Sequence, residues 1–92
     1  MSENTTTSSS VAALFAADGR LPAIPRKAAR RDQLLDHLAA TLFEPGTEYT
    51  EKQVNEALLT VHDDFPALRR YLIESHRLTR TRDGSTYRRT AA

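Results

Sequence analysis

The stretch ALRRYLIESHRLTRTRDGSTYRR (residues 67–89) decides the fold, because it joins a helical pattern directly to a hairpin pattern. Its first half carries apolar side chains at the spacing of one buried helix face: Leu68, Tyr71 and Leu72. Its second half places Asp83-Gly84 between two threonine-rich runs, and this dipeptide is typical of a two-residue β-turn. The sequence therefore predicts a helix over residues 66–76 and a β-hairpin over residues 78–89.

The turn also predicts the register of the hairpin. With Asp83-Gly84 as the two turn residues, Arg80 pairs with Tyr87, and side chains alternate between the two faces of the hairpin. Leu78, Arg80 and Tyr87 then share one face. Since Leu78 and Tyr87 are suited to the core, we expect the stem of Arg80 to be partly covered by Tyr87.

An earlier amphipathic helix is predicted from about residue 26 to residue 43. Its apolar side chains recur at three- and four-residue spacings: Leu34, Leu35, Leu38, Leu42 and Phe43. Pro45 and Gly46 stop it. Before it, VAALFAA (11–17) predicts a short helix, and the two prolines of RLPAIP (20–25) predict an extended strap over the core.

The second long helix has a clear start signal. Thr50 and Gln53 have the spacing of a capping box, in which each side chain binds the backbone of the other residue. We expect this helix to run to about Val61. The residues TEY (47–49) just before it can form a short strand with Tyr49 turned inward.

These elements predict an α+β, mainly helical fold of the winged helix-turn-helix type over residues 11–90, with three main helices, a short N-terminal helix and a C-terminal hairpin wing. Residues 1–10 contain no large apolar side chain after Met1, which predicts a disordered tail. The chain has no cysteine and no pattern of a signal peptide or a membrane span. We therefore expect a soluble, cytoplasmic protein that does not associate with membranes.

The net charge of +1 conceals three blocks. Residues 19–31 carry five basic side chains and no acid, residues 32–64 carry eight acids and one base, and residues 65–92 carry seven arginines and two acids. Two interpretations are open. Either the protein has one positive and one negative face, or the opposite blocks pair with each other within the chain.

The most specific motifs are GRL with IP, then YTEKQVN, HDDFPALRR and GSTYR. In their order and spacing from Phe15 to Arg88, they resemble the bacterial family called domain of unknown function 2087. The resemblance implies a winged-helix-like fold, and a link to transcription regulation because members occur alone or behind helix-turn-helix domains. The family pattern commonly has a glycine where this chain has His76. Since histidine tolerates a left-handed backbone better than most residues, we expect positive φ at His76 or at a residue next to it.

The leading functional hypothesis is duplex DNA binding by the third helix and the wing, with two copies acting as a dimer. The planar fork of Arg70 is suited to a guanine edge in the major groove. Other arginines are candidates for phosphate contacts: Arg69, Arg77, Arg82, Arg88 and Arg89. The cluster RKAARR (26–31), with Arg30 and Arg31, either contacts phosphate as well or pairs with the acids around Glu48-Glu51 and Asp63-Asp64.

The alternative is a protein-interaction module on the same scaffold. Ile73 and Glu74 are expected on the outward face of the third helix, where an apolar side chain favours a protein contact. Asp63 and Asp64 precede this helix and would repel phosphate there. The partner would be another protein or a second copy of the chain.

Catalytic and metal chemistry has little support in the sequence. His37, His62 and His76 have no metal-ligand spacing among them, and no serine has a histidine and a carboxylate in a recognisable arrangement. The three glycines stand singly, so no phosphate-binding loop is indicated. We therefore expect no enzyme activity, no cofactor, no metal and no small-molecule substrate.

Overall fold

Three helices and three short strands follow one another in the computed structural model, which describes residues 11–90. The elements are α1 (Ala28–Leu42), β1 (Glu48–Tyr49), α2 (Glu51–Leu59), α3 (Phe65–Glu74), β2 (Leu78–Arg80) and β3 (Tyr87–Arg89). The predicted α+β class is confirmed, and the layout is consistent with a winged-helix-like arrangement. The predicted tail over residues 1–10 lies outside the described residues.

The capping box at the start of α2 is confirmed. The hydroxyl of Thr50 accepts a hydrogen bond from the backbone of Gln53 at 3.1 Å, and Oε1 of Gln53 accepts one from the backbone of Thr50 at 2.9 Å. The helix ends at Leu59, two residues before the predicted end at Val61. The chain tightens there, because Val61 donates to the carbonyl only three residues back.

The end of α3 confirms the prediction for His76, whose φ is 63°. His76 donates to the carbonyl of Ile73 at 3.0 Å, and Arg77 donates to that of Leu72 at 2.9 Å. These two bonds form a Schellman motif, which requires a left-handed residue directly after the helix cap. The motif turns the chain sharply from α3 into β2.

The hairpin wing, β2 and β3, joins β1 in an antiparallel sheet. The strand order is β1-β3-β2, so that β3 is the central strand. The predicted pairing of Arg80 with Tyr87 is confirmed. On the other side, Tyr49 of β1 pairs with Tyr87, and its ring packs edge-on against Phe43 with centroids 5.2 Å apart. The inward orientation predicted for Tyr49 is therefore confirmed.

The core lies between the three helices and the inner face of the sheet. Its most deeply buried side chains come from every helix and from the wing: Leu34, Leu38, Phe43, Val54, Leu58, Leu68, Leu72, Leu78 and Tyr87. The strap closes one end, because Leu21 donates to the carbonyl of Val61 at 2.6 Å and its own carbonyl accepts from Nδ1 of His62 at 2.8 Å.

The N-terminal helix predicted over residues 11–17 ends earlier than expected. Of these seven residues, only 11 and 12 are helical. The helix does not continue because the backbone of Ala16 donates to the carbonyl of Arg20 at 2.7 Å, which closes a loop instead. No helix within residues 11–90 combines the length and the apolar character that crossing a membrane would require.

Candidate nucleic-acid interface

Helix α3 presents a polar face to solvent opposite its core face. Leu68 and Leu72 are fully buried, whereas Arg70 and Glu74 are exposed. Arg70 stands near the middle of the outer face, and the structure records no hydrogen bond or ion pair for its side chain within residues 11–90. Its side chain is therefore accessible from solvent, on the face where the sequence predicts it.

A groove of about 350 Å³ lies between α3 and the wing. One wall comes from α3 and contains Pro66, Arg69, Arg70, Ile73 and Glu74. The other comes from the hairpin and contains Arg80 and Tyr87. The structure thus brings together two predicted DNA ligands, Arg69 and Arg70, and both residues proposed for a protein interface.

Two of the predicted phosphate ligands, Arg69 and Arg77, hold the helices together. Nη1 of Arg69 donates to the side-chain oxygen of Asn55, which joins α3 to α2. Arg77 donates from Nε to Asp36 at 2.6 Å and from Nη2 to the carbonyl of Asp32 at 3.3 Å. Its side chain is only 21% exposed, so Arg77 acts mainly as a link between α1 and the end of α3.

The arginines of the wing differ in their engagement. Arg88 pairs with Glu48 at 2.5 Å, and Nη1 of Arg89 donates to the carbonyl of Phe43 at 3.3 Å. Arg82, next to the turn, is exposed, and its side chain has no recorded partner among the described residues. Of the three predicted wing ligands, Arg82 is therefore the one whose side chain has no partner among residues 11–90.

The cluster at residues 26–31 does not form the predicted pairs with acids. Arg31 donates to the carbonyls of Arg26 and Pro25 at 3.0 and 3.4 Å, and its guanidinium lies 4.6 Å from the centre of the Tyr71 ring. Arg30 is half-buried. The acids proposed as partners are held by other groups, since Asp63 pairs with Arg20 at 2.6 Å.

The ion pairs favour the interpretation in which the opposite charge blocks pair with each other within the chain. Each pair described within residues 11–90 joins a basic block to the central acidic block: Arg20 with Asp63, Arg77 with Asp32 and Asp36, and Arg88 with Glu48. Asp64 caps α3 by accepting from the backbone of Ala67 at 3.3 Å. Much of the acidic block therefore serves the fold.

Ile73 differs from its expected position. It is half-buried and packs against the core, because it lies on the side of α3 that faces the wing. Leu59, 43% exposed, is the large apolar side chain exposed in the part of the chain that the structure describes. On α3, the apolar side chain of Ile73 therefore lines the groove and does not project from the outer face of the helix.

Arg80 also belongs to the site, and the sequence did not indicate this. It is exposed and lines the groove beside Tyr87. The ring of Tyr87 passes into the core, and its hydroxyl donates to Oε1 of Glu51 at 2.8 Å. Burial, and then the neighbouring Glu51, raise the pKa of Tyr87. The pairing of Arg80 with Tyr87 shows which face of the hairpin Arg80 occupies. It does not show that Arg80 lies beyond the edge of the buried core.

The tip of the wing is a tightly bonded turn. Oδ1 of Asp83 accepts from the hydroxyl of Thr81 at 2.7 Å and from the backbone and hydroxyl of Ser85 at 3.0 and 2.8 Å. These bonds, with that of Thr81 the strongest, lower the pKa of Asp83 to about 2. The turn therefore holds Arg82 on a defined backbone.

Among residues 11–90, no three potential metal ligands lie together. No curated protein and no solved structure matches this chain. One family model does, and it covers residues 20–89 under the description "Uncharacterized protein conserved in bacteria (DUF2087)". Since this match spans most of the sequence and agrees with the motifs from GRL to GSTYR, the chain belongs to the bacterial family DUF2087.

Proposed function

We propose that the protein is a winged-helix domain that binds duplex DNA and acts in transcription regulation in the cytoplasm. In this proposal α3 enters the major groove and the β2–β3 hairpin lies on the backbone. The observation that carries it is the position of Arg70, exposed and unpaired within the described residues, near the middle of the outer face of α3.

The accessible arginines have distinct roles. Arg70 reads a base edge, since a guanidinium can bind O6 and N7 of guanine together and so discriminate against other bases by about 1–3 kcal/mol. Arg82 binds phosphate. Arg88 can exchange its bond to Glu48 for one to phosphate, because both side chains are more than half exposed and such ion pairs stabilise by only about 0–1 kcal/mol.

A dimer is part of this proposal. A single domain with one short helix in the groove contacts few base pairs, and single modules bury only about 600–1,000 Å² of protein surface on DNA. Two copies on two half-sites would double that contact. The expected target is therefore a site with two related halves.

The test is a titration of labelled duplex DNA at low and moderate salt with the native protein and with Arg70→Ala combined with Arg82→Ala. The control is Lys52→Ala, at an exposed position outside the groove, with Arg70→Ala and Arg82→Ala also measured singly so that each is matched to it in charge. We expect each arginine variant to lose far more affinity than the control. Absence of binding at low salt, or losses equal to that of the control, would reject the proposal.

A protein-interaction module remains the second candidate, supported by the groove itself. Ile73 gives its lining an apolar side chain, and Glu74 adds a carboxylate. In this case the groove receives a protein segment and the DNA titration is negative. The measurement is the mass in solution over a range of concentrations, where self-association lost on Ile73→Ser would support this candidate.

A further inference from the structure

We propose that the groove between α3 and the wing holds the sugar–phosphate backbone of one DNA strand, with Arg80 as the phosphate ligand on the wing side. This inference rests on the proposed DNA binding. It adds an occupant for the groove and a binding residue, Arg80, which is not among the DNA ligands predicted from the sequence.

The charge of the groove favours a polyanion. Three arginines line it against one carboxylate: Arg69, Arg70 and Arg80 against Glu74. Glu74 follows Arg70 by one helical turn, yet the ion pairs described within residues 11–90 include none between them. Arg69 uses one N–H group on Asn55, and a guanidinium has five donors, so that others remain for a phosphate oxygen.

The two walls carry their cations on opposite sides. Arg69 belongs to α3, and Arg80 belongs to β2, so a phosphate bound between them is contacted from both sides, while Arg70 keeps its role at a base edge. Ile73 also lines the groove, and its apolar side chain can pack against the carbon atoms of a deoxyribose. A DNA strand presents this alternation of phosphate and sugar along its length.

The wall that carries Arg80 is held in place. Arg80 pairs in register with Tyr87, whose side chain is only 1% exposed and is bonded to Glu51 of α2. The guanidinium of Arg80 lies beside the turn, since a Cβ atom placed on Gly84 would be in ordinary contact with its Nη1 at 3.8 Å. The guanidinium therefore extends along the wing from a fixed backbone, which limits the ordering that binding would require.

The experiment measures the dissociation constant for duplex DNA as a function of salt, using fluorescence anisotropy. The native protein is compared with Arg80→Ala and with Lys52→Ala, a charge-matched control at an exposed position outside the groove. Loss of one phosphate contact is expected to reduce the slope of log K against log salt by about 0.9 in Arg80→Ala. Lys52→Ala is expected to keep the native slope, and Arg80→Lys to keep most of it.

Three other results would each reject the inference about Arg80 and the groove. If Arg80→Ala and Lys52→Ala behave alike while the native protein binds DNA, this inference fails and the proposed function stands. If the native protein does not bind DNA at low salt, both fail. Polyglutamate that displaces DNA at equal charge concentration would indicate an acidic protein partner and overturn the inference. Thermal melting checks the fold, and Arg80→Gln repeats the measurement if Arg80→Ala is unfolded.

Discussion

The hydroxyl of Tyr87 donates a hydrogen bond of 2.8 Å to Glu51, and this contact joins the central strand of the sheet to the first turn of α2. One helical turn further along α2, Asn55 binds Arg69 of α3. Residues four apart lie on the same side of a helix. One side of α2 therefore holds both the wing and α3, which fixes the width of the groove between them.

Removing the Tyr87 hydroxyl should lower the stability of the fold without leaving a cavity in the core. Tyr87→Phe keeps the buried ring and loses only the bond to Glu51, so we expect the free energy of unfolding to fall by about 1 kcal/mol. Urea denaturation followed by circular dichroism measures the difference. The control is Tyr71→Phe, because the Tyr71 hydroxyl has no recorded partner within residues 11–90, and an equal loss there would contradict the prediction.

Arg77 should be needed for stability more than for binding. Arg77→Met removes its bonds to Asp36 and to the carbonyl of Asp32, and we expect it to lower the free energy of unfolding by about 1–2 kcal/mol. DNA affinity of the folded variant should stay within about twofold of the native value. Arg82→Ala should give the opposite result, with native stability and weaker binding. Two variants that change both properties equally would show that this division is wrong.

His76 occupies a backbone conformation in which glycine has no steric penalty. His76→Gly should raise the free energy of unfolding by about 0.5–1 kcal/mol, because the left-handed conformation costs an L-residue about 1–2 kcal/mol and glycine loses more entropy on folding. His76→Val should lower it, since a branched side chain fits this conformation poorly. Thermal or urea unfolding of the three proteins gives the order, and a destabilised glycine variant would contradict it.

Asp83 should titrate well below an ordinary aspartate. Bonds from Thr81 and Ser85 lower its pKa from 3.8 to about 2. Since the folded pKa is the lower one, the contribution of Asp83 to stability is fully present above about pH 4 and is lost as the pH falls towards 2. The chemical shift of the carboxyl carbon, followed by NMR from pH 5 downwards, gives the midpoint. A midpoint near 4 would mean that the turn is open in solution.

Local signals in the sequence predicted the elements well. The capping box at Thr50, the Asp83-Gly84 turn and the apolar spacing around Leu68 each involve residues within a few positions of one another. The left-handed backbone at His76 was also predictable, because a position that commonly holds glycine constrains its replacement. Such features depend on neighbouring residues and need no knowledge of the tertiary contacts.

The roles of individual arginines could not be predicted in the same way. Arg69, Arg77 and Arg88 have partners that are 14 to 45 positions away in the sequence, and composition does not indicate which acid or amide each will meet. Their types and spacing equally suited phosphate binding. The place of Arg80 in the groove was missed for a related reason, since the register gives the face of a residue but not how far the core extends beneath it.

The position of β3 in the sheet has a consequence for how the molecule assembles. It follows every other described element along the chain, yet it is the central strand and carries the buried Tyr87. The helices can form by local contacts, whereas β1 and β2 have no partner until residues 87–89 arrive between them. During synthesis the groove would therefore form last, and a nascent chain that ends before Tyr87 would have three helices but no groove beside α3.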